Sequence, residues 1–436
     1  MKSSFIMFIF KYIRKRSQLL MISYRSFSVN IPESKYVSLQ SKPTASEKRA
    51  NEIYEYLKNN DASHLFKKIP TNFFQQKVSS KHILINPFVA NKICRALKLY
   101  LNGAYVLESD PGFGLLSKEL IHNVSYLRLY EEDTILRSDL RNLQDKHPSK
   151  IEILDSSLQW ISKLDEEGDP KNKNRKALLF GDIPEDVRVN VIMTAPYKRL
   201  IVAWIQHILN KRYFSKFSQL DFYLIIPPSV YTRLIASPQN DYSPRYQKFS
   251  VLAQLLFDIE LLINDIPRRA FLPWPRKPAK KSKPRDIEKY ENDHEVMYFV
   301  RMSLKAKNLT HLLDENMYQC FFSFLSQNML GKKRIVPYFE TIIPGSGVRV
   351  VMMGYNIYST FNELSASELF DLFIKFTEWP EFPQSAFYSF WKNKSDESET
   401  SEKIAVHDLP SGHDEEEEDE YEDDDDGAFL PGNNVK

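Results

Sequence analysis

The sequence predicts an α/β protein: a mainly parallel sheet with helices on both faces, followed by a smaller, mainly helical C-terminal domain. Three observations carry this. Five short apolar runs are separated by helix-length segments, a spacing that calls for crossover connections and therefore parallel strands. The first run passes through a glycine turn directly into a helical stretch. Late in the chain the apolar spacing becomes helical and stays so. A length of 436 residues favours one large domain plus a smaller one, and only 12 glycines argue against a turn-rich all-β architecture.

Residues 1–35 are rich in Lys and Arg and hold no acid before Glu33, which is transit-peptide composition. The alternative is a basic arm. The apolar run Phe5 to Phe10 is too short to span a bilayer, and no other segment approaches about 20 apolar residues, so no membrane span is expected. The folded part begins with a helical lead-in to about Gln76, with Ile53, Tyr54 and Leu57 on one face. A second helix has Asn86 as cap, Pro87 at its first position, and Phe88, Ile93, Leu97 and Leu101 near helical spacing before Gly103.

The first strand is Ala104 to Leu107, followed by Glu108-Ser-Asp-Pro-Gly-Phe-Gly114 and a helix from Leu115 to about His122. Further strands are expected at Tyr126 to Tyr130, ending in Glu131-Glu132-Asp133, and at Ile151 to Leu154, ending in Asp155. A fourth, Val189 to Met193, ends in Thr194-Ala-Pro-Tyr197, and a fifth, Phe222 to Ile226, stops at Pro227-Pro228. Ligands of such sheets bind at the carboxyl ends of the strands. The stretch Arg268 to Arg285 holds eight basic residues and four prolines, too many prolines for a regular element, and reads as an exposed loop. A strand at Glu295 to Met302 precedes helices at Asp314 to Met329 and Leu364 to Phe376. The expected divisions are 1–35, the leader; 36–290, the α/β domain with its lead-in; 291–394, the helical domain; and 395–436, an acidic tail without fixed structure.

A net charge of +2 conceals a strong segregation. From Ser395 to Lys436 there are 17 acidic and two basic residues, so the 394 residues before them hold 57 basic against 40 acidic ones. A body so basic suits a phosphate backbone as partner. The two cysteines, Cys94 and Cys320, lie too far apart in sequence for a paired zinc or disulfide framework and fit a reducing compartment.

A Gly-x-Gly turn between strand and helix serves many tight connections. Here it is preceded by Glu108, and the next two strands end in Glu131 and Asp155. A carboxylate at the second strand accepts the two ribose hydroxyls of a nucleotide, and an aspartate at the third can accept from an adenine amino group. Together they would hold an adenosine across neighbouring strand ends. The alternative is that strand ends are simply polar and exposed.

At Thr194-Ala-Pro-Tyr197 the pattern resembles the rRNA adenine N6-dimethyltransferases, and most closely their mitochondrial transcription factor B branch. The resemblance runs from about residue 70 to 390. It is carried by Glu108-Ser-Asp-Pro-Gly-Phe-Gly114 for the family's Glu-x-x-x-Gly-x-Gly, by Glu131, by Asp155, by Thr194-Ala-Pro-Tyr197 for Asn-Leu-Pro-Tyr, and by Phe271-Leu-Pro-Trp-Pro275 for Phe-x-Pro-x-Pro. It implies a Rossmann-like S-adenosylmethionine-dependent methyltransferase domain, with the cofactor touching the backbone around Leu84, Glu108 and the turn at Gly112 and Gly114, and then Glu131 and Asp155. Tyr197 and Phe271 would stack on a flipped-out adenine; for both, the alternative is core packing. Thr194 stands where the active family has asparagine, whose amide oxygen accepts from the target amino group, so the resemblance puts methyl transfer in question. It implies a mitochondrial matrix protein of the nucleoid that assists mitochondrial RNA polymerase at promoter DNA, or else an enzyme acting on the small-subunit rRNA of the mitochondrion. In the first case the basic loop would track single-stranded DNA, with aromatics such as Trp274 as stacking surfaces.

Overall fold

The computed structural model describes residues 45–70, 73–74, 81–159, 183, 187–194, 198–209, 217, 219–275, 293–305, 315–329 and 333–392. The leader and the acidic tail foreseen from the sequence lie outside them. The chain divides into two compact units, Met1–Lys48 and Arg49–Lys436. Of the first, only residues 45–48 are described, within the opening turns of helix α1 (Ala45–Asn59).

In the second unit, seven strands form one sheet in the order β4-β3-β2-β5-β6-β9-β7. These are β2 (Ala104–Ser109), β3 (Val124–Tyr130), β4 (Ile151–Leu154), β5 (Arg188–Thr194), β6 (Gln219–Ile226), β7 (Phe257–Pro267) and β9 (Val296–Leu304). From β4 to β6 every pairing is parallel; β9 is antiparallel to both of its neighbours. This is the Rossmann-like order with a reversed strand inserted beside the last one. Strand order reverses between β2 and β5, the switch point where such sheets open a crevice.

The five foreseen parallel strands are all present. Strand β7 went unforeseen because it has no continuous apolar run: the exposed Asp258 and Glu260 alternate with Phe257, Ile259 and Leu261, as on a sheet edge, and the register shifts twice between Leu261 and Ile266. Strand β9 was foreseen, but in the C-terminal part. It sits between β6 and β7, so the sheet extends to Leu304 and the helical part follows it.

Two further strands, β1 (Ile83–Leu84) and β8 (Phe271–Leu272), pair with each other, Leu84 opposite Phe271. The chain thus returns after β7 to the helical lead-in. Helix α2 (Pro87–Leu97) is capped as expected: Asn86 accepts from Phe88 and Val89 N–H. Ile93, Leu97 and Leu101 are buried, whereas Phe88 is exposed because it precedes the first inward-facing turn. Of the foreseen lead-in face, Ile53 and Leu57 are buried and Tyr54 turns outward onto the edge of the Phe66 ring.

Hydrophobic side chains collect in two cores. One joins α1, α2, α3 (Leu115–Leu120), α4 (Thr134–Lys146) and the β1–β8 pair. The other joins α5 (Lys198–Leu209), α6 (Pro228–Ile235) and α7 (Lys248–Leu256) to the C-terminal helices. There Trp204 stacks on Phe222 at 4.7 Å. The C-terminal helices are α8 (Glu315–Asn328), α9 (Ile335–Ile342), α10 (Gly347–Met352) and α11 (Ala366–Thr377). They close around Phe324, whose ring meets Phe373 at 5.4 Å and Phe361 at 5.7 Å. Aromatic rings supply most of this small core, which explains part of the chain's 29 phenylalanines. Among the described residues no helix is long and apolar enough to cross a membrane.

Candidate functional site

Strand β2 ends in a turn that no ordinary sequence follows easily. Asp110, Gly112 and Gly114 all have left-handed backbone, with φ of 53°, 59° and 66°. A Cβ on Gly112 would lie 2.5 Å from Ile83 Cγ2, and one on Gly114 would lie 2.7 Å from Leu140 Cδ2. Both glycines therefore let other parts of the chain come close: β1 against the turn, and α4 against the start of α3.

Glu108 is buried at the end of β2 and accepts from Ser117 Oγ at 2.7 Å, which ties strand to helix. Burial pushes its carboxyl up to about 7, a rise the Ser117 bond only partly offsets. Asp110 is buried too. Its Oδ2 accepts from Ser109 Oγ at 2.7 Å, Ser157 Oγ at 3.1 Å and Gln159 Nε2 at 3.2 Å. Oδ1 has no hydrogen-bond donor and faces Lys81 Nζ at 3.4 Å.

Glu131 follows β3 directly and is 1% exposed. Gly112 N–H donates to its Oε2 at 3.3 Å and Asp133 N–H to its Oε1 at 2.9 Å. The glycine turn and the second acid are thus one hydrogen-bonded unit. Burial raises the Glu131 carboxyl to about 7; Lys81 and the two backbone donors pull against that rise, and Asp110 adds to it. Asp133 completes the corner by capping α4.

Lys81, which the sequence reading passed over, is the cation of this corner. Its ammonium lies 2.9 Å from Glu132 Oε2, 3.4 Å from Asp110 Oδ1 and 3.5 Å from Glu131 Oε1. Burial opposes its charge, but the three acids outweigh burial and raise its pKa. Nothing in its local sequence marks it. Its position three residues before Leu84, already assigned to the site, was the available signal.

Asp155 stands at the end of β4, mostly exposed, and pairs with Arg137 at 2.8 Å. The adjacent Ser156 Oγ is buried with no hydrogen-bond partner. Leu84 is buried in β1 beside the turn. Thr194 ends β5, opposite Ile225 and half-buried. Tyr197 lies outside the described residues.

Phe271 is fully buried in the core between the lead-in and the sheet, opposite Leu84. In this structure it has no face to offer a base, because the return strand β8 holds it inside. Trp274, foreseen as an exposed stacking surface, is also buried: its indole N–H donates to Arg269 O at 2.8 Å and its ring stands edge-on to Tyr56 at 5.6 Å. The foreseen exposed loop accordingly has a packed beginning; its residues 276–285 lie outside the described ones.

The corner therefore brings Leu84, Glu108, Gly112, Gly114 and Glu131 together at the carboxyl ends of β2 and β3, with Asp155 one strand further and Thr194 across the switch point. Ser156 Oγ is buried without a hydrogen-bonding group, and Asp110 Oδ1 meets the Lys81 ammonium. A polar ligand fits such a lining. Among the described residues no cluster suits a metal ion, and Cys94 and Cys320 are both buried and free.

The chain is similar to known proteins over much of its length. The family model for ribosomal RNA adenine dimethylase matches residues 73–376. The protein named dimethyladenosine transferase 2, mitochondrial, of Drosophila melanogaster is 23% identical over 292 residues, which cover 64% of each chain. Ribosomal RNA small subunit methyltransferase A of Blochmanniella floridana is 27% identical over 180 residues, 41% of this chain and 56% of its own. The match thus spans less than two thirds of either relative. Among solved structures, a dimethyladenosine transferase from Plasmodium falciparum superposes with a TM-score of 0.45 at 13% identity, covering 68% of this chain and 97% of that one. Since the family model takes in the whole sheet and most of the C-terminal helices, the chain belongs to the ribosomal RNA adenine dimethylase family.

Proposed function

We propose that the corner between β2, β3 and β4 binds S-adenosylmethionine, and that the chain acts chiefly as a mitochondrial transcription initiation factor. In this reading it works in the mitochondrial matrix, at the nucleoid, and helps mitochondrial RNA polymerase open promoter DNA. The observation that carries it is Thr194 at the end of β5, half-buried across the switch point from the glycine turn. A target adenine's amino group there meets one short hydroxyl, which accepts a single bond and can equally turn its donor toward the base. Losing one transition-state contact of this kind typically costs about 10²- to 10³-fold in rate.

Binding is better equipped than chemistry. Glu131 is fixed by two backbone donors, and in this reading its remaining lone pairs would accept from a ribose, while Asp155, one strand away, would accept from an adenine amino group. The bound cofactor would supply an activated methyl group. Glu108 and the left-handed turn keep the corner in shape. The basic body supports a nucleic-acid partner, and the name of the Drosophila relative supports the mitochondrial setting.

The test is promoter-dependent RNA synthesis by the mitochondrial polymerase, with and without this protein. The reading expects open-complex formation to need the protein; equal synthesis in its absence ends it. A second reading, dimethylation of adjacent adenines in mitochondrial small-subunit rRNA, is favoured by the intact acid corner. Robust labelling of that RNA by purified protein and labelled S-adenosylmethionine would establish it and remove the purely transcriptional one.

A further inference from the structure

We propose that Lys81 is a built-in counter-ion of the cofactor corner, competing with the ligand for Glu131 and thereby setting how tightly the methyl donor binds. The proposal rests on the cofactor reading above.

A carboxylate has about four lone-pair positions. On Glu131, Gly112 N–H takes one and Asp133 N–H another. A ribose diol needs two more, and the Lys81 ammonium approaches one of the same oxygens at 3.5 Å. Lys81 has reason to stay. It spans acids from the end of β2 and the start of the loop after β3, and two of these, Asp110 and Glu131, are almost completely buried. Without the lysine, both would face a low-dielectric corner with no cation, a costly state. The lysine therefore neutralises the empty corner, and a ligand must displace its ammonium to reach the diol acceptor.

Charge adds a second consequence. S-adenosylmethionine carries one net positive charge through its sulfonium, and S-adenosylhomocysteine carries none. With Lys81 present, the three acids are partly neutralised; without it, at a pH alkaline enough to keep them ionised, they attract a cation more strongly. Removing the lysine should favour the sulfonium form over the neutral one. A residue that merely held the fold would not change that ratio.

The experiment is calorimetric titration of the full chain, as wild type, Lys81→Gln, Lys81→Met and Lys81→Arg, with S-adenosylmethionine and S-adenosylhomocysteine separately. Expected is an approximately tenfold tightening for S-adenosylmethionine in the Gln and Met variants, less for S-adenosylhomocysteine, and near-wild-type affinity in the Arg variant. Melting curves confirm folding, and if the Gln variant fails to fold, the Met and Arg pair carries the same comparison. Equal or weaker binding in the neutral variants overturns the proposal while leaving the cofactor reading standing, weaker binding meaning that the ammonium touches the ligand. If neither wild type nor any variant binds either compound, both fall together.

Discussion

Two carboxyls in the corner, Glu108 and Glu131, are pushed up to about 7 by burial. A carboxyl whose pKa rises on folding holds its proton more tightly in the native state. Its contribution is therefore complete below about 4.5 and is lost as pH climbs through 7. For Glu108 the loss is on the order of 3 kcal/mol. We expect wild-type melting temperature to fall between pH 5 and 8, and Glu108→Gln, which keeps the bond to Ser117, to lose about half of that slope and to exceed wild type at pH 8. Parallel curves for the two proteins would contradict this. At the end of β5, Thr194→Asn should raise adenine N6-methylation by about 10²-fold without changing cofactor affinity, as measured by labelled methyl transfer to small-subunit rRNA; an unchanged rate would show that the missing amide is not what limits the chemistry. Individual residues were legible where a motif marks them. Glu131 and the glycines could be found because turn chemistry and strand ends leave local patterns. Lys81 leaves none, since its role exists only once β1 is brought beside the turn, a contact across about 30 positions of sequence.

The β1–β8 pair shows what an element can do that its residues do not announce. Two strands of two residues each place Leu84 opposite Phe271, so the return segment after β7 backs β1, which lies against the glycine turn. Arg268 holds that segment: its guanidinium, 6% exposed, donates to Phe271 O and to Pro273 O, each at 2.9 Å. Arg268→Met should leave both carbonyls buried without these donors and cost about 2 to 4 kcal/mol. Urea unfolding measures the loss, and hydrogen exchange should rise at Leu84 as well as at Phe271 and Leu272. Exchange confined to β8 would show that the pair does not act as a unit. The sheet's parallel strands were readable because apolar runs bounded by polar ends are a local signal. Edge strand β7 was legible only through the alternation of Phe257 to Leu261, not through the continuous apolar run that marks the parallel strands, and the β1–β8 pair was not legible because a two-residue strand has no period to read. Trp274 was expected at a surface because its loop is rich in prolines and basic residues, and for Phe271 the resemblance left base stacking and core packing open; both are buried, Phe271 opposite Leu84 and Trp274 against Tyr56, 218 positions earlier.

At the scale of the whole molecule, charge is segregated along the chain. The 394 residues before Ser395 carry 57 basic and 40 acidic side chains, and the 13 residues Asp414 to Asp426 carry 12 acids. Within the folded part, acids are used inward: Glu108, Asp110, Glu131 and Asp221 are buried and satisfied by hydrogen bonds or cations. Arg49, Arg128 and Arg268 are buried as well, so burial leaves the basic excess of the composition nearly unchanged among the described residues. Such an excess attracts phosphate backbones, and it attracts an acidic segment of the same chain equally well, at a high effective concentration set by the tether. If the acidic run competes with nucleic acid, deleting Asp414 to Asp426 should tighten binding of promoter DNA several-fold at 50 mM salt. The gain should shrink toward none near 0.3 M, where the Debye length falls to about 5 to 6 Å. Fluorescence anisotropy at the two salt concentrations separates the possibilities. A deletion that leaves low-salt affinity unchanged assigns the run to solubility alone, and one that tightens binding equally at both concentrations points to a steric block, which salt does not screen.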